Sequence, residues 1–215
     1  MSRAGPAPAK TISSRPPRYR ETDRAAYYDQ HLRASRLDRR LSHWAELQSL
    51  KRALREVNGD RVLDAPCGTG RIFSALADRF TEVVSFDSST AMLQIHRQNG
   101  GSQFCCGDIF KLPFPDMQFD WTICFRLFHH FPNRESRVAL LHNLARVSRE
   151  GVIFTAWVDT FLNRRRGSHR RSLPRGDIVE LIKDAGLCLT DTRYAAWPFQ
   201  PKAVFVCRRQ HATGH

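Results

Sequence analysis

Strand–helix alternation from residue 60 onward predicts an α/β domain: a mostly parallel sheet with helices on both faces and an antiparallel last strand. Three observations carry this. Short apolar runs alternate with helical stripes, beginning with Arg61-Val62-Leu63-Asp64-Ala65. A glycine turn, Gly68-Thr69-Gly70, joins that first run to a helix over 71–79. The last two runs, 187–197 and 202–208, are separated only by Pro198-Phe199-Gln200-Pro201, a link that joins antiparallel strands but is too short for a parallel crossover.

The remaining elements follow in order. Glu82–Phe86 reads as the second strand. Ser88-Ser89-Thr90 offers N-caps for a helix over 90–98, and Asn99-Gly100-Gly101 stops it. Gln103–Cys106 is the third strand and Phe119–Phe125 the fourth, with a helix near 134–147 after it. Gly151–Val158 is the fifth strand, followed by a helix over 175–185. Upstream, residues 1–20 are rich in Pro, Ser and Arg without an acidic residue and are expected to be a disordered basic tail. Residues 21–59 form an N-terminal helical region. Its Leu32, Leu37, Leu41, Trp44, Leu47, Leu50 and Leu54 recur at helical spacing, divided between two helices. The domain proper is expected over 60–210.

Charge is unevenly placed. Of the net +13, residues 1–59 and 160–215 each carry +7 and the centre −1, so the partner suggested by the flanks is acidic: a phosphate, a nucleic acid or an anionic membrane surface. Solvated arginine-rich faces without a partner are the plainer alternative. No stretch reaches the ~20 apolar residues of a membrane span, and no N-terminal apolar run reads as a secretory signal. The six cysteines form no CxxC pair and mostly sit in apolar runs. Buried reduced thiols, a cytoplasmic setting and no metal centre are expected.

Ligands of such sheets bind at the carboxyl ends of the strands. The first strand ends in Asp64-Ala65-Pro66-Cys67-Gly68-Thr69-Gly70. A dinucleotide fold wants a third glycine where Phe73 stands. What stands here instead is an acid before the turn, which favours a cationic ligand and repels a pyrophosphate. The second strand ends in Asp87-Ser88, and an acid there can accept from both hydroxyls of a ribose. The third ends in Gly107-Asp108-Ile109, where Asp108 can accept from an adenine amino group and Ile109 can pack on its ring. Asp87 and Asp108 as helix N-caps alone, and Cys67 as a packing residue, are the structural alternatives.

Taken together, VLDAPCGTG, FDSSTAML, CGDIFKLPFPDMQFD and RLFHHF, in this order, resemble the class I S-adenosylmethionine (SAM)-dependent methyltransferases, especially the branch of small-molecule and quinone-biosynthesis enzymes. The likeness covers about residues 60–155. It implies a Rossmann-like seven-stranded sheet with SAM as cofactor. It implies SAM-binding roles for Asp64, Cys67, Gly68, Thr69, Gly70, Asp87, Ser88, Met92, Asp108, Ile109 and Phe125, where Phe125 departs from the small or polar residue common in the family. It places His129 and His130 at the substrate mouth as candidate bases. Tyr27 and Tyr28 would belong to a lid over the site. Arg164–Arg171, with Arg165 and Arg166 at its centre, would favour an anionic acceptor.

The expected function is methyl transfer to a small-molecule or lipid acceptor, an anionic one being favoured, with peripheral membrane contact compatible with the basic flanks. An RNA methyltransferase is the alternative, although no N-P-P-Y-type tetrad follows the fourth strand. A non-catalytic SAM-binding scaffold is the second alternative.

Overall fold

A computed structural model describes residues 37–159, 172–195 and 202–210. In chain order these form α1 (Leu37–Leu54), β1 (Arg61–Asp64), α2 (Phe73–Ala77), β2 (Glu82–Asp87), α3 (Thr90–Gln98) and β3 (Gln103–Cys106). They continue with β4 (Phe119–Cys124), α4 (Arg134–Val147), β5 (Ser148–Trp157), α5 (Arg175–Asp184), β6 (Leu187–Ala195) and β7 (Lys202–Arg209). The strands make one sheet in the order β3-β2-β1-β4-β5-β7-β6. β1 to β5 run parallel, and β7 lies antiparallel between β5 and β6.

Strand alternation explains the double coverage. Along β4, Trp121 and Ile123 face one side and Cys124 the other; along β5, Ile153 opposes Val152 and Phe154. One side packs on Leu50, Ala53 and Leu54 of α1 and Ala75 and Leu76 of α2. The other packs on Leu140, Leu141 and Leu144 of α4 and Ile178, Leu181 and Ile182 of α5. A sheet covered on both faces needs near-continuous apolar strands, as these are.

The chain steps outward from β1 to β3 and then returns to the other side of β1 as β4. The switch point therefore opens between β1 and β4, at their carboxyl ends.

Several elements differ from the sequence reading. α2 occupies only Phe73–Ala77 of the expected 71–79, because Gly70, Arg71 and Ile72 are used by the turn and the N-cap. β5 begins at Ser148 rather than Gly151, and Gly151 sits inside it because a Cβ there would lie 2.0 Å from the Cys207 carbonyl oxygen of β7. All six cysteines are free thiols. Cys67, Cys124 and Cys207 are buried as expected, but Cys106 and Cys188 are exposed, on β3 and β6, the two edge strands of the sheet. Among the described residues no helix is long and apolar enough to cross a membrane.

Candidate active site at the β1–β4 switch

The glycine turn is held from two directions. From β2, the Cys67 amide donates to the Phe86 carbonyl (2.9 Å) and the Gly68 amide to Asp87 Oδ2 (2.9 Å). From the end of α3, Asn99 Nδ2 donates to the Thr69 carbonyl (3.0 Å). Gly68 and Gly70 both have positive φ, +56° and +81°, which glycine adopts without steric cost. Their surroundings differ. A Cβ on Gly68 would meet nothing within 4 Å, so that face of the turn is open. A Cβ on Gly70 would lie 2.2 Å from the His96 ring.

His96 is thus the floor of the turn. It is fully buried in α3, edge-on to Phe73 (5.1 Å) and Phe104 (5.2 Å), and neither ring nitrogen has a hydrogen-bond partner among the described residues. Burial, only partly opposed by Asp87, pushes it down to about 4, so it is neutral. Sequence reasoning overlooked it; the available signal was a histidine inside the apolar stripe of α3.

Asp64 is the last residue of β1. It is fully buried, and neither carboxyl oxygen has a partner among the described residues. Burial first, and the Asp87 charge second, push it up to about 8. A buried carboxyl left unsatisfied is costly, and this one lies four residues before Gly68, near enough to Asp87 to feel its charge.

Asp87 is also fully buried, with Oδ2 on the Gly68 amide and Oδ1 on the Ser89 amide (3.0 Å). The N-cap of α3 is Ser89, whose Oγ accepts from Met92 N (3.3 Å), so Asp87 is not spent on capping. Ser88 is half-buried beside it. Asp108 is half-buried at the end of β3 and does cap a short 3₁₀ turn, Oδ1 accepting from Phe110 N (3.0 Å). Met92 and Ile109 are buried nearby in sequence to these acids, at 3% and 4% exposure. Phe125 lies in the α1-side core, so its ring packs against that core instead of standing free in the cleft.

His129 and His130 form a 3₁₀ turn after β4 with their rings 4.2 Å apart. His129 is half-buried against Trp157, the last residue of β5 (5.8 Å), and His130 is exposed. Tyr27, Tyr28, Arg165 and Arg166 lie outside the described residues.

A cluster that sequence reasoning missed faces these histidines across Trp157. Glu46 of α1 is buried and takes Arg126 Nε on Oε2 (2.6 Å) and Lys202 Nζ on Oε1. Burial would raise its carboxyl, but Arg126 and Lys202 outweigh that and hold it below the ordinary range. The signal was a lone acid in the apolar stripe between Trp44 and Leu47.

Comparison with known proteins bears on the domain and the fold. Residues 62–151 match the family described as Methyltransferase domain. The chain is 42% identical over 95 residues to a demethylmenaquinone methyltransferase of Beutenbergia cavernae, a match covering 43% of this chain and 38% of that protein. It is 32% identical over 93 residues to a tRNA (carboxymethyluridine(34)-5-O)-methyltransferase of Xenopus tropicalis, covering 43% of this chain and 14% of that one. The chain spans half or less of the length of these curated relatives. The fold superposes on magnesium protoporphyrin IX methyltransferase of Synechocystis PCC 6803 with a TM-score of 0.72 at 19% identity, covering 86% of this chain and 95% of that one. Residues 62–151 therefore match a methyltransferase domain, on the fold that the solved methyltransferase shares.

Proposed function

We propose that this protein transfers the methyl group of SAM to a small-molecule or lipid acceptor that carries an acidic group. The observation that carries the reading is the pairing of an orphaned buried Asp64 with Asp87 around the open face of Gly68. SAM supplies an already activated methyl on a sulfonium. Asp64 suits its ammonium group, and the Asp87 carboxylate at the end of β2 suits its ribose diol. Asp108 and Ile109 would hold the adenine, with Met92 beside it. The Gly68-Thr69-Gly70 backbone lets the ligand approach, and Cys67, Ser88 and Phe125 complete the wall through their backbone.

Transfer is an in-line displacement, so the protein's task is to align nucleophile and methyl carbon and exclude water. His129, half-buried after β4, would take a proton from an acceptor hydroxyl or ring carbon; His130 is the exposed member of the pair. Tyr27 and Tyr28 would add a lid, and Arg165 and Arg166 further positive charge.

RNA as acceptor is the second reading. It is favoured by the basic flanks and by the likeness to a tRNA methyltransferase.

Calorimetry with SAM and S-adenosylhomocysteine on wild type and Asp87→Ala tests the cofactor. Binding that weakens about a hundredfold in the mutant is expected, from loss of two charge-assisted bonds. No binding to wild type moves the weight to a non-catalytic scaffold. Turnover on metabolite and lipid pools against total tRNA then separates the two acceptor classes.

A further inference from the structure

Beyond the acids of the cofactor side, the rim carries an excess of positive charge. Arg126 follows β4 directly, and its backbone is left-handed, φ +61°, unusual for a residue with a side chain. That conformation is fixed by its own amide donating to Thr155 Oγ1 of β5 (2.7 Å). Strain of this kind, about 1–3 kcal/mol, gathers where a side chain must be aimed. Here it aims the guanidinium at α1, where Nε donates to Glu46. Among the described residues no hydrogen bond reaches the two Nη atoms, and the side chain is 25% exposed.

Lys202 joins the same carboxylate, donates to Ser42 Oγ (3.1 Å) and lies over the Trp157 ring (4.8 Å), whose other neighbour is His129. Arg71, from the end of the glycine turn, adds its charge to the group. His43 registers all three cations: burial first, then Arg71, Arg126 and Lys202 push it down to about 4 against the pull of Glu46, so it contributes no charge. The buried Glu46 carboxylate thus pairs with two cations, Arg126 and Lys202. A guanidinium whose Nε is taken still presents its Nη edge, the geometry that receives a carboxylate or phosphate.

We propose that Arg126, reinforced by Lys202, is the specificity-determining anion site for the methyl acceptor, receiving its carboxylate or phosphate group, with Glu46 as internal counter-ion. This rests on the methyltransferase reading and names the acceptor chemistry it requires.

The test is calorimetry on protein saturated with S-adenosylhomocysteine, using benzoate and phenyl phosphate as probes. Wild type should bind at least one of them, more weakly at high salt, and the stronger probe identifies the acceptor's acid. Arg126→Gln should weaken it about tenfold or more, Arg126→Lys by less, with S-adenosylhomocysteine affinity held within about twofold in both. Glu46→Gln breaks the same ion pair but keeps the guanidinium, so probe affinity should be equal or higher. The proposal is overturned if wild type binds neither probe, if Arg126→Gln binds like wild type, or if Glu46→Gln weakens binding as much as Arg126→Gln, the mark of a purely structural ion pair. Failure of wild type to bind S-adenosylhomocysteine overturns the methyltransferase reading instead.

Discussion

Replacing Asp64 by asparagine should abolish a proton release that accompanies cofactor binding. The Asp64 carboxyl is raised from 3.8 to about 8, by burial and then by Asp87, so near neutrality the unliganded protein holds it mostly protonated. In the unfolded chain it is ionised above about pH 4. Between about pH 4 and 8 the folded state therefore binds the extra proton, and stability falls as pH rises through that window. At about 1.36 kcal/mol per unit, the loss reaches roughly 4 kcal/mol by pH 7 and levels off above about pH 8.

A ligand ammonium placed at the same carboxyl reverses the preference and expels the proton. The association constant for S-adenosylhomocysteine should then climb by up to about tenfold per pH unit between about pH 5.5 and 7.5, until the ligand's own amine begins to titrate. Calorimetry in phosphate and in Tris, whose ionisation heats differ, counts the protons directly: close to one per ligand for wild type near pH 7 and none for Asp64→Asn. The variant should also lose most of the alkaline decline in unliganded stability while binding ligand more weakly. Normal binding by wild type without proton release would refute the pairing of Asp64 with the ligand's cationic end.

Two further substitutions follow from the backbone. Gly68→Ala meets only open space, so it should fold with a loss of about 1 kcal/mol from its positive φ yet obstruct the ligand; Gly70→Ala adds a contact at 2.2 Å with His96 and should lose several times more stability in urea melts. Equal stabilities would refute the floor role of His96. Gly151→Ala drives a methyl against the Cys207 carbonyl at 2.0 Å and the Arg208 Cα at 2.9 Å, and should cost about 3 kcal/mol or more, since backbone cannot step aside as a side chain can. A urea midpoint within error of wild type would show that β5 and β7 are not so closely apposed.

Legibility tracked locality. α3 spans the residues expected because its signals are contiguous: Ser89 caps one end, and at the other the Asn99 amide closes on Ile95 and His96 before Gly100 turns the chain. The three acids were legible because each ends a strand, as Asp64 and Asp87 do, or follows one within two residues, as Asp108 does. β5 was clipped because glycine reads as a breaker, whereas Gly151 is required by a neighbouring strand more than fifty residues away in sequence. The Glu46 cluster was invisible for the same reason. Its two ion pairs close loops of 80 and 156 residues, and nothing local marks Arg126 as the partner of a helix so far upstream.

The rim of the site is divided by charge in a way that fits the direction of methyl transfer. Asp64, Asp87 and Asp108 end the three strands on one side of the switch point, and Arg126 and Lys202 stand at the ends of β4 and β7 on the other. A sulfonium loses its charge as the methyl departs, while the ammonium and ribose that the acids would hold do not change, so the acids hold the ground state at least as well as the transition state and by themselves give binding more than rate. Cations on the acceptor side behave differently. They bind a distal acid whose charge does not change during the reaction, and that constant attraction can be used to orient the nucleophile. Loss of Arg126 should therefore appear as both a raised KM and a lowered kcat for an acidic acceptor, with its distal binding energy no longer available for alignment. Loss of Asp87 should appear chiefly as a raised KM for SAM. The two variants acting alike on both substrates would mean that the charge division of the rim has no part in how donor and acceptor are told apart.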